Sequence, residues 1–119
     1  MLNINIKSGL DEIILGMNQY DLIHILGKPE RISRNKIFEF SYHYKNVVYN
    51  LNYNLIIRDI IIDLSGLDFI NIDNNKYDTY LLDLELSKID EDFVVIDDHL
   101  HYPNINMLLC VKEKILTIY

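Results

Sequence analysis

The chain has 119 residues, 50% apolar and 24% charged, which is a globular composition long enough to bury roughly 65% of its unfolded surface in one domain. Its lone cysteine, Cys110, excludes an internal disulfide, and its short apolar runs exclude a membrane-spanning helix. The net charge of −7 is uneven: residues 1–59 carry +1 and residues 60–119 carry −8. The acidic half therefore repels phosphate, which argues against nucleic acid as its partner, and steers a basic protein.

In chain order, the segment Met1 to Lys7 reads as a strand. Its first residues have no basic start, apolar stretch or small-residue cleavage site, so a cytoplasmic location is expected. Asn18 is placed to cap a helix, with Asp21 three positions on. Leu22, Ile25 and Leu26 supply the apolar stripe, and Gly27 and Pro29 stop the helix. A line of Phe38, Phe40, Tyr42 and Tyr44 then alternates with Glu39, Ser41 and His43, and Lys45-Asn46 forms a turn. Val47, Tyr49, Leu51 and Tyr53 continue against Val48, Asn50, Asn52 and Asn54, and Ile57 to Leu64 closes a meander. In the second half, Asn75 and Asp78 predict a helix start, and Tyr77, Tyr80, Leu81 and Leu84 predict a helical stripe reaching about Ser87. Val94, Ile96, Leu100 and Tyr102 form the next apolar line, interrupted by Asp98. Ile105, Met107, Leu109 and Val111 follow, and Lys114 to Tyr119 is the last strand.

The chain repeats itself. Ser8-Gly9-Leu10-Asp11 returns as Ser65-Gly66-Leu67-Asp68, 57 positions later, and 8 of the 14 positions from Ser8 to Asp21 are identical. His43-Tyr44-Lys45-Asn46 faces His101-Tyr102-Pro103-Asn104 at a spacing of 58. The expected fold is α+β: one domain over 1–119, built from two tandem helix-plus-antiparallel-meander units, 8–64 and 65–119. They are expected to form one sheet with the helices on one face. The other face is expected to be open and polar, carrying Glu39, Ser41, His43, Asn50, Asn52, Asp59, Asp97, His99, His101, Asn106 and Cys110. Such a face suits a protein partner better than a small molecule. Most of the nine tyrosines are expected in the core, with their hydroxyls reaching its rim.

The string Ile14-Leu15-Gly16-Met17-Asn18, Leu22, Ile25-Leu26-Gly27-Lys28-Pro29 resembles a signature of small two-copy α/β proteins. These are the β-lactamase inhibitor protein fold, the small outer-membrane assembly lipoproteins, and the immunity proteins of bacterial polymorphic and contact-dependent toxins. Tyr42, Tyr44 and Asn46 to Leu51 look like the paired strands that follow the helix in those families. The second unit departs from the signature, since Asp73-Asn74 stands where Gly16-Met17 does and nothing corresponds to Gly27 or Pro29. Within the group, the lipoproteins need a signal peptide and a lipidated cysteine, and the secreted inhibitors need disulfides. The resemblance therefore implies an immunity protein that binds a cognate toxin, basic nucleases being the complementary kind, with a cell-envelope assembly factor as the alternative.

Other chemistry has less support. Asp97, His99 and His101 lie at strand spacing and could hold zinc or move protons. His101 has a counterpart in His43, however, and no further ligand has the right spacing, so no metal and no cofactor are expected. Cys110 has no helix start beside it to activate a thiolate. No phosphate loop or nucleophile elbow occurs, so no enzyme is expected. The residues expected to meet the toxin are Asp90, Glu91, Asp92, Asp97 and Asp98 in the acidic cluster, with His99, His101 and Asn106 on the sheet face.

Overall fold

Asn18 sets the first helix. Its backbone is extended and its side-chain oxygen accepts from the Asp21 N–H at 3.0 Å, satisfying one of the free amides of the first turn. Helix α1, Gln19–Leu26, buries Leu22 and stops at Gly27, whose φ of 81° lies in the region that favours glycine. The computed structural model describes residues 2–36 and 39–119, with Asn35 and Lys36 described by their backbone alone. The expectations for Met1 and Phe38 lie outside the described residues.

Before α1 come three short strands: β1 Asn3–Asn5, β2 Gly9–Leu10 and β3 Ile13–Ile14. After it comes a meander of β4 Arg31–Lys36, β5 Glu39–Tyr44, β6 Val47–Leu51 and β7 Ile57–Asp63. Then follow β8 Phe69–Ile72, β9 Asn75–Asp78, a 3₁₀ turn over Thr79–Leu81 and helix α2, Leu82–Ile89. A second meander closes the chain: β10 Val94–Ile96, β11 His99–Tyr102, β12 Met107–Cys110 and β13 Ile115–Ile118.

The protein is mixed α+β, mostly strand, but the strands form two sheets where one was expected. The large sheet runs β10-β11-β12-β13-β7-β6-β5-β4, so the two meanders meet through their last strands, β13 and β7. The small sheet runs β3-β2-β1-β8-β9, with β1 parallel to β8. Both helices do lie on one face of the large sheet. The Tyr42 hydroxyl donates to Gln19 Oε1 at 2.5 Å, Tyr44 to the Gly27 carbonyl at 2.8 Å and Tyr102 to the Asp83 carbonyl at 3.1 Å. These tyrosines share a face because the strand period is two and the register carries it across the sheet. One contiguous buried cluster joins both sheets and both helices, including Ile4, Leu10, Ile70 and Ile72 from the small sheet and Tyr49, Ile60, Ile62 and Met107 from the large one.

The second helix starts later than the sequence pattern predicts. Asp73 and Asn74 take φ of 47° and 67° and turn the chain between β8 and β9, so Asn75 begins a strand rather than capping a helix. Two residues with positive φ are what a tight hairpin requires, and Asp and Asn tolerate that region better than most. Asp78 does the capping instead, accepting from the Tyr80 N–H at 2.8 Å. The expected stripe fails with the shift: Tyr80 and Leu84 are exposed, and Leu82 and Leu86 are the buried pair at i, i+4.

The two Ser-Gly-Leu-Asp segments also differ locally. Gly9 and Leu10 form β2, whereas Ser65 and Gly66 are a turn after β7. A Cβ on Gly9 would stand 2.0 Å from the Ile13 carbonyl oxygen, while one on Gly66 would meet nothing within 4 Å. The strand β4 was not anticipated, and Tyr53 and Tyr80 are exposed while Tyr42, Tyr49 and Tyr102 are buried.

Candidate protein-binding surface

The face of the large sheet opposite the helices carries the candidate surface. Strand register runs one row across it from β4 to β10: Arg31, His43, Val48, Ile61, Thr117, Leu108, His101 and Val94. A second row holds Asp63, Ile115, Cys110, His99 and Ile96. None of these residues belongs to the buried cluster under the helices. The centre, Val48, Ile61, Leu108 and Ile115, is half-buried and apolar, so the face is less polar than its histidines and asparagines imply. The alternation within each strand is imperfect here, and only the register of neighbouring strands brings these four aliphatic side chains together.

A polar network occupies one corner. The Ser41 hydroxyl donates to Asn50 Oδ1 at 2.5 Å, and Asn50 Nδ2 donates to Asp59 Oδ1 at 2.6 Å. Arg58 donates to Asp59 Oδ2 at 3.0 Å and also pairs with Glu39. Ser41 and Asn50 are buried, so this network is fixed by its own hydrogen bonds. His43 Nε2 stands 2.8 Å from the Ser33 hydroxyl. Burial first, and then the Arg31 guanidinium, hold its imidazole below the ordinary range, with Glu30 opposing.

At the far end, Glu91, Asp92, Asp97 and Asp98 are exposed around β10. Asp90 is not part of that surface. It is 1% exposed and ends α2, where its carboxylate accepts from the Asp92 N–H at 3.0 Å, the Asn104 N–H at 2.8 Å and Asn104 Nδ2 at 2.9 Å. Its charge ties the helix end to the β11–β12 turn. His99 and His101 are half-buried on the open face as expected, and Asn106, with φ of 52°, closes the turn before β12. Asn52 leaves the expected polar face: it accepts from the Asn54 and Ile56 N–H groups in the turn after β6. Cys110 keeps its place on that face, opposite His99 and Ile115, but is buried there.

The sequence pattern set Val94 and Ile96 on the apolar line with Leu100 and Tyr102. Asp97 and Asp98, the former with φ of 54°, instead form a two-residue turn, and Ile96 pairs with His99. A two-residue hairpin pairs even positions with odd ones. Val94 and Ile96 therefore share the histidine face, and Val95 falls on the helix side with Leu100. A polar dipeptide between two apolar runs was the available signal.

Among the described residues, no group of three or more His, Cys, Asp or Glu side chains is arranged to hold a metal ion, and no helix is long and apolar enough to cross a membrane. A cavity of about 190 Å³ lies between the 3₁₀ turn and the second meander, lined by Leu67, Asp68, Thr79, Tyr80, Asp83 and Lys114 among others. It is smaller than the usual range for an organic ligand, about 300–1,000 Å³. The exposed sheet face is the larger chemical feature. No protein-family model matches the chain, and no curated protein or solved structure matches it significantly.

Proposed function

We propose that the chain is a stoichiometric protein inhibitor: an immunity protein that binds a cognate bacterial toxin and covers its active site. The observation that carries this reading is the open face of the large sheet, whose half-buried apolar centre of Val48, Ile61, Leu108 and Ile115 lies outside the core cluster. An apolar centre inside a polar rim is the arrangement of a protein interface. The acidic balance of residues 60–119 favours a basic partner, as a nuclease with a phosphate-binding cleft would be. The two-unit organisation over 8–64 and 65–119 belongs to the same reading. It is supported by the strand order, in which two four-stranded meanders meet at β7 and β13, and by the equivalent strand-end places of His43 and His101. A cytoplasmic site of action follows from the reading, because such an inhibitor protects the cell that makes the toxin.

The test is association with the product of the neighbouring toxin reading frame, measured by stopped flow at low and high salt. Replacing Glu91, Asp92, Asp97 and Asp98 together by their amides is expected to slow association and flatten its salt dependence. Asp90 is left intact because its carboxylate holds the fold. Ile61→Asp, in the apolar centre, is expected to speed dissociation. Unchanged rates in both variants would remove the open face and its acidic edge from the interface.

A further inference from the structure

The two edges of the large sheet have opposite chemistry. Among the described residues, β10 pairs only with β11, and β4 pairs only with β5. On β10, Val94, Val95 and Ile96 are 50%, 61% and 51% exposed, an apolar strand at the sheet edge, with no strand among the described residues on its other side. Sheet edges of this kind are ready templates for another strand. Glu91 and Asp92 stand before it and Asp97 and Asp98 after it, all exposed. On β4, Arg31 and Arg34 are exposed and Ile32 is 52% exposed. Beside this strand lies a groove of about 330 Å³ lined by Ile23, Lys28, Pro29, Glu30, Arg31 and Ile32.

We propose that copies of this chain associate head to tail, with β10 of one copy pairing along β4 of the next and Val95 entering the groove at Ile32. Three independent features select this occupant. The first is direction. All eight strands are antiparallel to their neighbours, so the two edges run in opposite senses. A second copy displaced along the sheet therefore presents β4 antiparallel to β10 and continues the ladder with the same face outward.

The second is sidedness. Val95 pairs with Leu100 and Ile32 pairs with Tyr42, and both lie on the helix side. Setting Val95 opposite Ile32 keeps every side chain on its own face, which a register shifted by one residue would not. The third is charge. Joining β10 to β10 would crowd acidic residues together, and joining β4 to β4 would crowd arginines. Only the mixed pairing sets Arg31 and Arg34 among carboxylates, with Glu30 the one like charge in the groove. This contact concerns the sheet edges and does not rest on the inhibitor reading, which concerns the open face.

Sedimentation velocity over a range of protein concentrations tests it. The wild-type chain is expected to self-associate at about 50 mM salt and to dissociate at about 500 mM. A chain with Val95→Lys and a chain with Arg31→Glu and Arg34→Glu are each expected to be monomeric, with unchanged thermal midpoints because these side chains are exposed. Mixed together, they are expected to form a one-to-one dimer and nothing larger, since one keeps a working β10 and the other a working β4. A wild-type chain that stays monomeric at every concentration overturns the proposal. So does persistent dimerisation of the arginine-reversed chain alone, which would assign the contact to β10 pairing with itself. A mixture that stays monomeric overturns it as well.

Discussion

The two helices end by different chemistry, although each stands ahead of a four-stranded meander in the same sheet. α1 stops at Gly27, which takes φ of 81° and needs no side chain. α2 stops at Asp90 with ordinary extended backbone, and the buried carboxylate reaches across to the β11–β12 turn. Their starts differ in the same way: Asn18 caps α1 directly, while strand β9 and a 3₁₀ turn separate Asn75 from α2. The same residues thus serve different local structures in the two halves. Similar topology tolerates this because the core asks only for an apolar face at the right place, whereas a cap or a turn asks for a particular hydrogen bond or φ.

The shared glycines give the sharpest way to break this comparison. Gly9→Ala is expected to destabilise the fold by about 3 kcal/mol, because the new Cβ would collide with main-chain atoms that cannot move independently. Gly66→Ala is expected to change stability by less than about 0.5 kcal/mol, since the space around it is open. Urea denaturation of the two variants decides the matter, and equal losses would mean that the two segments have one structural role. Next in size is the helix end: Asp90→Ala is expected to lose about 2 kcal/mol, as three donors lose a charged acceptor. Glu91→Gln, one residue on and exposed, should leave the denaturation midpoint where it is.

The caps differ by less. Asn18→Ala is expected to lose about 1 kcal/mol, and Asn75→Ala less than half of that, because only Asn18 accepts an amide of a first helical turn. Matching losses would restore Asn75 as a cap. The smallest effect is on pH dependence. The folded His43 imidazole sits below its ordinary 6.5, so the unfolded chain binds more protons as pH falls through the window beneath 6.5. The stability that neutral His43 contributes is present above that value and is lost as pH falls toward the folded pKa. His43→Gln is expected to flatten the slope between about pH 7.5 and about pH 5.5, read from denaturation midpoints. An unaltered slope would place the titration on other groups.

The first helix and the strand pairs around Lys45-Asn46 were legible because their signals are local: a cap residue, a stopping glycine, an alternation of period two. The second helix misled because Tyr77, Tyr80, Leu81 and Leu84 have helical spacing by coincidence, while Asp73-Asn74, a hairpin signal, stands where Gly16-Met17 precedes the first helix, so that Asn75 took the place of a cap. The acidic edge was legible in position, since Glu91, Asp92, Asp97 and Asp98 are exposed. Asp90 stands in the same run of charges yet is buried, because the turn at Asn104 comes to it from 14 residues away.

By itself, then, the sequence determined the α+β character, the capping of α1, most strand positions and the charge difference between the halves. All of these depend on neighbouring residues or on simple counts. Tertiary structure decided that the strands divide into two sheets, that β1 lies parallel to β8, and that Val48, Ile61, Leu108 and Ile115 meet on one open face. Those outcomes rest on pairing between distant strands. Register, unlike alternation, is set by which strand lies alongside and by how each turn shifts the parity of the pairing.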